Sequence, residues 1–251
     1  MNLKFDQIFE NIIAVGDIHG DIMPLVNKIN DQYEIQNSLI IVAGDVGIGF
    51  HKDGFYTDLF KKAGARLKKN NNILLLVRGN HDNKDKWDDY VPFKSHWQDG
   101  NSNIRFIKDY TVISAESVVK PHTILCVGGA LSVDRTSNKR IVGKTYWPNE
   151  IFVYDESKVE SLEGITDVIT HSCPSFCEPI LKTGLFQWML VDKDIEADCD
   201  KERNDHTLLY NKLKEKNTIC SWTYGHMHYS HRAIIDDVKF RLLDIMELAE
   251  L

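Results

Sequence analysis

No apolar run in the 251-residue chain approaches the roughly 18 residues of a membrane-spanning helix, so a helical span is not expected. An excess of positive charge is missing too. The chain carries 30 Lys and Arg against 37 Asp and Glu, a formal net charge of −7. Surfaces that bind nucleic acid non-specifically are usually basic, so nucleic acid is a possible partner but not a favoured one. Cysteine is sparse: Cys126, Cys173, Cys177, Cys199 and Cys220. An odd count at irregular spacing does not make a secreted disulfide framework. The opening MNLKFDQIFENIIAVG lacks a basic segment followed by a long apolar run, so it does not read as a signal peptide. These absences point to a cytoplasmic protein with reduced thiols. No Pro/Ser-rich linker, repeat or low-complexity tract divides the chain, and one domain over 1–251 is the simplest organisation.

What is present is an ordinary globular composition, 43% hydrophobic and 27% charged, long enough to bury a sizeable core. Short apolar runs end at turn residues: Ile12 to Val15 at Gly16-Asp17, Leu39 to Ala43 at Gly44-Asp45, Ile73 to Val77 at Arg78-Gly79-Asn80. Such runs read as strands buried on both faces. Helical spacing near 22–33 and 55–70 separates them, which suggests crossover units and a parallel sheet. In the second half, 123–127, 167–170, 219–224, 232–235 and 239–244 are strand candidates. Asp236-Asp237 is a hairpin turn candidate. Helices are expected near 155–162 and 204–216, and long loops over 134–150 and 172–200. The expected fold is α/β: two packed mixed β-sheets flanked by helices.

The chemistry-bearing residues sit just after those strands. The first delivers Asp17 and His19, the second Asp45, and the third Asn80, His81 and Asp82. Later, His171 follows DVIT, and His226 and His228 follow ICSWTY. Ligands of open α/β sheets bind beyond the carboxyl ends of strands. Taken singly, Asp17 is as readily an N-cap and His19 a surface histidine. Together these residues form an oxygen and nitrogen ligand set without thiolates, which suits Mn²⁺, Zn²⁺ or Fe. Seven ligand-type residues are too many for one catalytic ion with open positions. They suit two ions sharing one carboxylate, which can clamp a phosphoryl group.

GDIHG, GDVG, GNHD, TH and GHMH, in that order from residue 16 to residue 228, resemble the motifs of the calcineurin-like metallophosphoesterase superfamily. The resemblance implies that Asp17, His19 and His228 bind a first metal. It implies that Asn80, His171 and His226 bind a second, with Asp45 bridging. Manganese is the first expectation for the two divalent ions, with Fe, Zn or Ni as alternatives. A bridging hydroxide would attack phosphorus while His81 assists the leaving oxygen, with Asp82 orienting His81. The substrate would be a phosphomonoester or phosphodiester, whether small molecule, nucleotide or phosphoprotein. A nuclease of the same superfamily and a non-catalytic metal-binding scaffold are the alternatives. Retention of every ligand and of His81 speaks against the scaffold.

Weaker candidates surround this set. Arg78 matches the RGNH form of the protein-phosphatase branch and would bind substrate oxygens. Arg135 follows GGALSVD, which resembles a GGA segment of small bacterial and phage members, and is a second substrate-binding candidate. Trp147 and the segment Phe186-Gln187-Trp188 are more readily packing residues than base-stacking ones. Cys173 and Cys177 are not expected to bind metal. His51, His96, His122, His206 and His231 are expected to be ordinary surface or partly buried histidines, and Lys61, Lys62, Lys68 and Lys69 a solvated helix face. The pattern departs from the protein-phosphatase branch at two places. No arginine follows the second GD motif, and Asp82 stands where that branch has glutamate. Both departures put a phosphoserine or phosphothreonine phosphatase in doubt.

Overall fold

The structure, a computed structural model, describes residues 2–89 and 103–251. Its twelve strands are β1 (Asn2–Phe9), β2 (Ile12–Val15), β3 (Leu39–Val42), β4 (Ile73–Leu76), β5 (Ile104–Phe106), β6 (Thr111–Ser117), β7 (Pro121–Val127), β8 (Asp167–Thr170), β9 (Ser221–Tyr224), β10 (His231–Ile235), β11 (Val238–Leu242) and β12 (Leu248–Glu250). They form two mixed sheets, ordered β12-β2-β3-β4-β5 and β1-β6-β7-β8-β9-β11-β10. In the smaller sheet β2 to β5 run parallel and β12 is antiparallel to β2.

The double-sided apolarity of the first strands has a direct cause. Ile13, Val15, Ile40, Val42, Leu74 and Leu76 pack beneath the helices α1 (Ile22–Asn27) and α2 (Asp53–Lys69). Their alternates Ile12, Ala14, Leu39, Ile41, Leu75 and Val77 face the second sheet, against Ile113, Ile124, Cys126 and Ile169. The outer face of that sheet is covered by the helix Ile195–Lys214 through Leu209, Tyr210 and Leu213. The layers are therefore helix, sheet, sheet, helix. Each fully buried Leu or Ile contributes about 1.5–3 kcal/mol relative to exposure.

Most expected elements are present at their expected places, including the solvated lysine face of α2 and the Asp236-Asp237 turn. Both turn residues have positive φ, 49° and 65°, as a two-residue hairpin requires. Four strands lie beyond the expectation: β1, β5, β6 and β12. The helix expected over 204–216 starts at Ile195 instead, so the end of the expected 172–200 loop is helical. Before residue 204 its buried residues are only Ile195 and Glu202, which shows no apolar period. The 134–150 segment is irregular, as expected, apart from one isolated bridge between Val142 and Tyr146. Among the described residues no helix is long and apolar enough to cross a membrane.

Candidate active site

The carboxyl ends of β2, β3, β4, β8 and β9 converge, and each delivers candidate ligands within four residues of its last strand position. Close approach needs glycine at the turns. A Cβ on Gly44, which has φ of +117°, would collide with the His171 imidazole, and one on Gly79 would collide with Asp45. Four of the ligand-type residues have left-handed backbone: His19 at φ 43°, Asp45 at 51°, His226 at 73° and His228 at 53°. Such conformations are uncommon outside glycine and concentrate where surrounding structure over-determines them, active sites included.

One cluster consists of Asp17, His19, Asp45 and His228, whose ligand atoms all lie within 4.8 Å of one another. Nε2 of His228 is 3.0 Å from Asp17 Oδ2 and 3.0 Å from Nε2 of His19. Asp17 is held from behind by the His226 N–H, which donates to Oδ1 at 2.9 Å. A second cluster shares Asp45. His171 Nε2 is 3.1 Å from Asp45 Oδ1 and 2.9 Å from Asn80 Oδ1. The His226 ring lies 4.9 Å from the His171 ring, centroid to centroid. His171 Nδ1 lies 2.8 Å from the Ala43 carbonyl, which fixes Nδ1 as a protonated nitrogen and leaves Nε2 as the one that could ligate a metal. The Asn80 amide donates to Ser132 Oγ at 2.9 Å, so its oxygen points into the cluster.

Electrostatics agree with a cation here. Burial pushes the Asp45 carboxyl up, but His171, His81 and His19 together hold it well below the usual range. Burial pushes His171 down, but Asp45 and Asp17 raise it to about 10. His226 is driven down to about 3 by burial, then by His171. Asp17 and Asp45 are buried at 0% and 1% exposure, which is costly unless positive charge accompanies them. Divalent ions supply that charge. The donor set is all oxygen and imidazole nitrogen, with Nε2 of His228 within 3.0 Å of both Asp17 Oδ2 and His19 Nε2. The residues present fit divalent metal.

His81 stands over this centre. Its N–H donates to Asp45 Oδ1 at 2.8 Å, and its Nε2 is 3.9 Å from Asp45 Oδ2. Asp82 does not orient it, contrary to the expectation. Asp82 is fully buried and accepts the N–H groups of Val46 at 3.1 Å, Ile48 at 2.8 Å and Gly79 at 2.8 Å. It ties the β3 turn to the β4 turn. Burial and then the Asp45 charge push its pKa up to about 7, while the three N–H groups pull it down. Oδ2 accepts two of these N–H groups and Oδ1 one, an arrangement that favours the carboxylate form.

The two expected substrate arginines are engaged elsewhere. Arg78 is 1% exposed. Its guanidinium donates to the carbonyls of Glu150, Gly128 and Ile151 and to Asp109. It is a buried fastener between β4 and the 128–151 segment. Arg135 pairs with Asp192 at 2.6 Å and Asp198 at 2.7 Å. The arginine that does reach the site is Arg140, which sequence reasoning missed. Its Nη2 lies 3.1 Å from His81 Nε2, and it is braced by Asp134 at 2.7 Å and the Thr145 carbonyl at 3.0 Å. It sits in the irregular 134–150 stretch, where no periodicity ties it to the strand ends. The only available sign was a basic residue in a long ordered loop. Burial, opposed by Asp45 and reinforced by Arg140, keeps His81 below its ordinary pKa.

The remaining candidates resolve simply. Trp147 is 4% exposed and meets Phe50 edge-on at 5.2 Å, and Phe50 in turn stacks over His81 at 6.1 Å. Phe186 is exposed and Trp188 half-buried. Cys173 and Cys177 are buried within the core cluster under the Ile195–Lys214 helix. His51 is exposed, and His231 is half-buried on β10. His122 and His206 are fully buried rather than surface residues: His122 pairs with Asp167 at 2.9 Å, and His206 lies against Phe152. His96 lies outside the described residues.

Comparison with known proteins gives a consistent result. The family profile described as calcineurin-like phosphoesterase matches residues 10–230. Shewanella-like protein phosphatase 1 of Plasmodium berghei (strain Anka) is 39% identical over 90 residues, which span 32% of this chain and 25% of that protein. The chain therefore matches about a quarter of that relative's length. Among solved structures, a dimetal phosphatase from Danio rerio superposes with a TM-score of 0.53 at 11% identity, covering 96% of this chain and 88% of that one. The phosphopantetheinyl hydrolase of Mycobacterium tuberculosis superposes at 0.52 with 15% identity, covering 96% and 95%. At such identities the superpositions show the shared fold.

Proposed function

We propose that this chain, which belongs to the calcineurin-like phosphoesterase family, hydrolyses phosphoesters at a binuclear centre built on Asp45. Metal-dependent phosphoester hydrolysis follows from the family. The two-ion arrangement, the residue roles and the substrate are our reading. Asp17, His19 and His228 would hold one ion, Asn80, His171 and His226 the other, and Asp45 both. The observation that carries this is the buried Asp45 carboxylate facing His171 at 3.1 Å on one side and His19 at 3.7 Å on the other. Bound divalent ions supply an ionised water at neutral pH and offset charge on phosphoryl oxygens.

The chain's own side chains do the rest. His81 meets the leaving oxygen, and Arg140 beside it binds a non-bridging phosphoryl oxygen. A guanidinium there suits phosphate geometry. It also disfavours protonation of His81, and the charge of an entering phosphoester restores it. A cavity of about 610 Å³, lined by His81, His19, Phe50 and Phe55 among others, gives the leaving group room. No serine or cysteine nucleophile is required. Manganese remains the first metal to test. The substrate is a small molecule, nucleotide or phosphoprotein.

The test is hydrolysis of 4-nitrophenyl phosphate and its diester by metal-stripped protein reloaded with Mn²⁺. Metal-dependent turnover that falls about 10²–10⁴-fold in His81→Ala, with metal content retained, supports the reading. Full activity without metal, or in His81→Ala on an ester with a poor leaving group, contradicts it.

A further inference from the structure

A second cavity touches the centre from another side. It encloses about 400 Å³ and reaches the site through His226. The 610 Å³ cavity reaches the site through His19 and His81, and the two share no lining residue. Its walls are apolar: Leu131, Val133, Leu181, Leu185 and Met227. Its polar lining includes Lys182, Arg203 and Tyr229, together with Glu202 and Ser172, which are 8% and 0% exposed. These last two groups adjoin each other and interact, but among the described residues neither Glu202 Oε2 nor Ser172 Oγ makes a well-formed hydrogen bond. Buried polar groups without a well-formed hydrogen bond are costly, and a native protein retains them where something else supplies the partner. Apolar walls around one or two convergent polar groups are the usual make-up of an organic ligand site.

A phosphomonoester has one organic group, and departure beside His81 puts that group in the larger cavity. A cavity beside His226 then has an occupant only when phosphorus carries a second group. We propose that the substrate is a phosphodiester whose retained group enters this cavity, and that this group is an apolar chain bearing a hydroxyl that reaches Glu202 and Ser172. This rests on the phosphoesterase reading above and extends it to the substrate class.

The test keeps the leaving group constant and varies the retained one. The Mn²⁺-loaded full chain is given 4-nitrophenyl phosphate and the 4-nitrophenyl diesters carrying methyl, hexyl and 6-hydroxyhexyl groups. We expect kcat/KM for hexyl to exceed methyl by about tenfold or more, since each buried methylene adds to binding. The hydroxyl should add about a few-fold more. Leu185→Trp, which fills the cavity from a half-buried position at the end of the helical turn Thr183–Leu185, should remove the hexyl advantage, and Glu202→Leu the hydroxyl advantage. Equal rates for methyl and hexyl overturn the proposal, as does a hexyl advantage that survives Leu185→Trp or is lost instead in Phe55→Ala. Hydrolysis of 4-nitrophenyl phosphate reports the phosphoesterase reading separately. If no ester turns over, calorimetric titration with hexyl and methyl methylphosphonate decides the cavity alone: tighter hexyl binding that Leu185→Trp abolishes supports it, and equal binding overturns it.

Discussion

Replacing Asp82 with asparagine separates two roles for that residue. In the structure its carboxylate closes three buried N–H groups, those of Val46, Ile48 and Gly79, and so joins the turn bearing Asp45 to the turn bearing Asn80 and His81. Asparagine offers one oxygen in place of two. At best it keeps the two donors on the Oδ2 side and turns its own N–H₂ toward the Ile48 N–H. One buried donor is orphaned, at about 1–3 kcal/mol, and the surviving bonds lose their charge assistance. The sum is roughly 3 kcal/mol, a large share of the 5–15 kcal/mol typical of a domain. For a chain of this size it lowers the melting temperature by roughly 6–12 °C. The assay is thermal unfolding followed by circular dichroism at pH 8, with metal content measured on the same samples. We expect Asp82→Asn to melt lower and to hold metal less tightly, because both turns carry candidate ligands. An unchanged melting temperature and metal content with a large drop in kcat would refute this, and would restore Asp82 as the partner that orients His81.

Other outcomes follow from the same geometry. Arg140→Ala should raise KM for a phosphoester and weaken inhibition by inorganic phosphate by about tenfold or more, as loss of a charged hydrogen bond does; Arg78→Ala should instead cost folding stability, because Arg78 touches only protein. Parallel kinetic and melting measurements decide, and an Arg140→Ala enzyme with unchanged KM and phosphate inhibition contradicts the assignment. Burial raises Glu202 from its ordinary 4.5 to about 7. Its contribution is therefore fully present below about pH 4.5 and is lost as pH rises through about 7. Glu202→Gln should match the parent near pH 5 and melt higher at pH 8, with a ceiling of about 3 kcal/mol. A gap that stays constant across that range refutes the buried, protonated form.

The strand ends were the legible part of this molecule. Ile12 to Val15, Leu39 to Val42 and Ile73 to Leu76 are apolar at every position because a helix layer and a second sheet cover opposite faces, and that pattern reads directly. The candidate ligands follow each strand within a few residues, so backbone continuity alone brings them to one edge. Contacts from distant, irregular chain were not legible. Arg140 reaches His81 across 59 positions from a loop without period. Asp82 adjoins His81 in sequence yet points the other way, into the N–H groups of the β3 turn. Arg78 has the expected neighbours in sequence, but carbonyls of residues 128–151 claim its guanidinium. β1 alternates between exposed and half-buried positions, and β6 between buried positions and half-buried or exposed ones, a weaker signal than a continuous apolar run. The Ile195–Lys214 helix buries Glu202 and His206 among its six buried positions, so a third of its core-facing pattern is written in ionisable residues.

The central claim is that Asp45 joins two ions. The most direct measurement is metal content per chain, by plasma mass spectrometry after reconstitution with Mn²⁺ and gel filtration, for the parent and for Asp45→Asn. We expect two ions per chain in the parent and fewer than one in Asp45→Asn, because both clusters lose a charged ligand together. A parent that retains one ion or none, or an Asp45→Asn chain that still holds two, would contradict a shared carboxylate at the heart of the site.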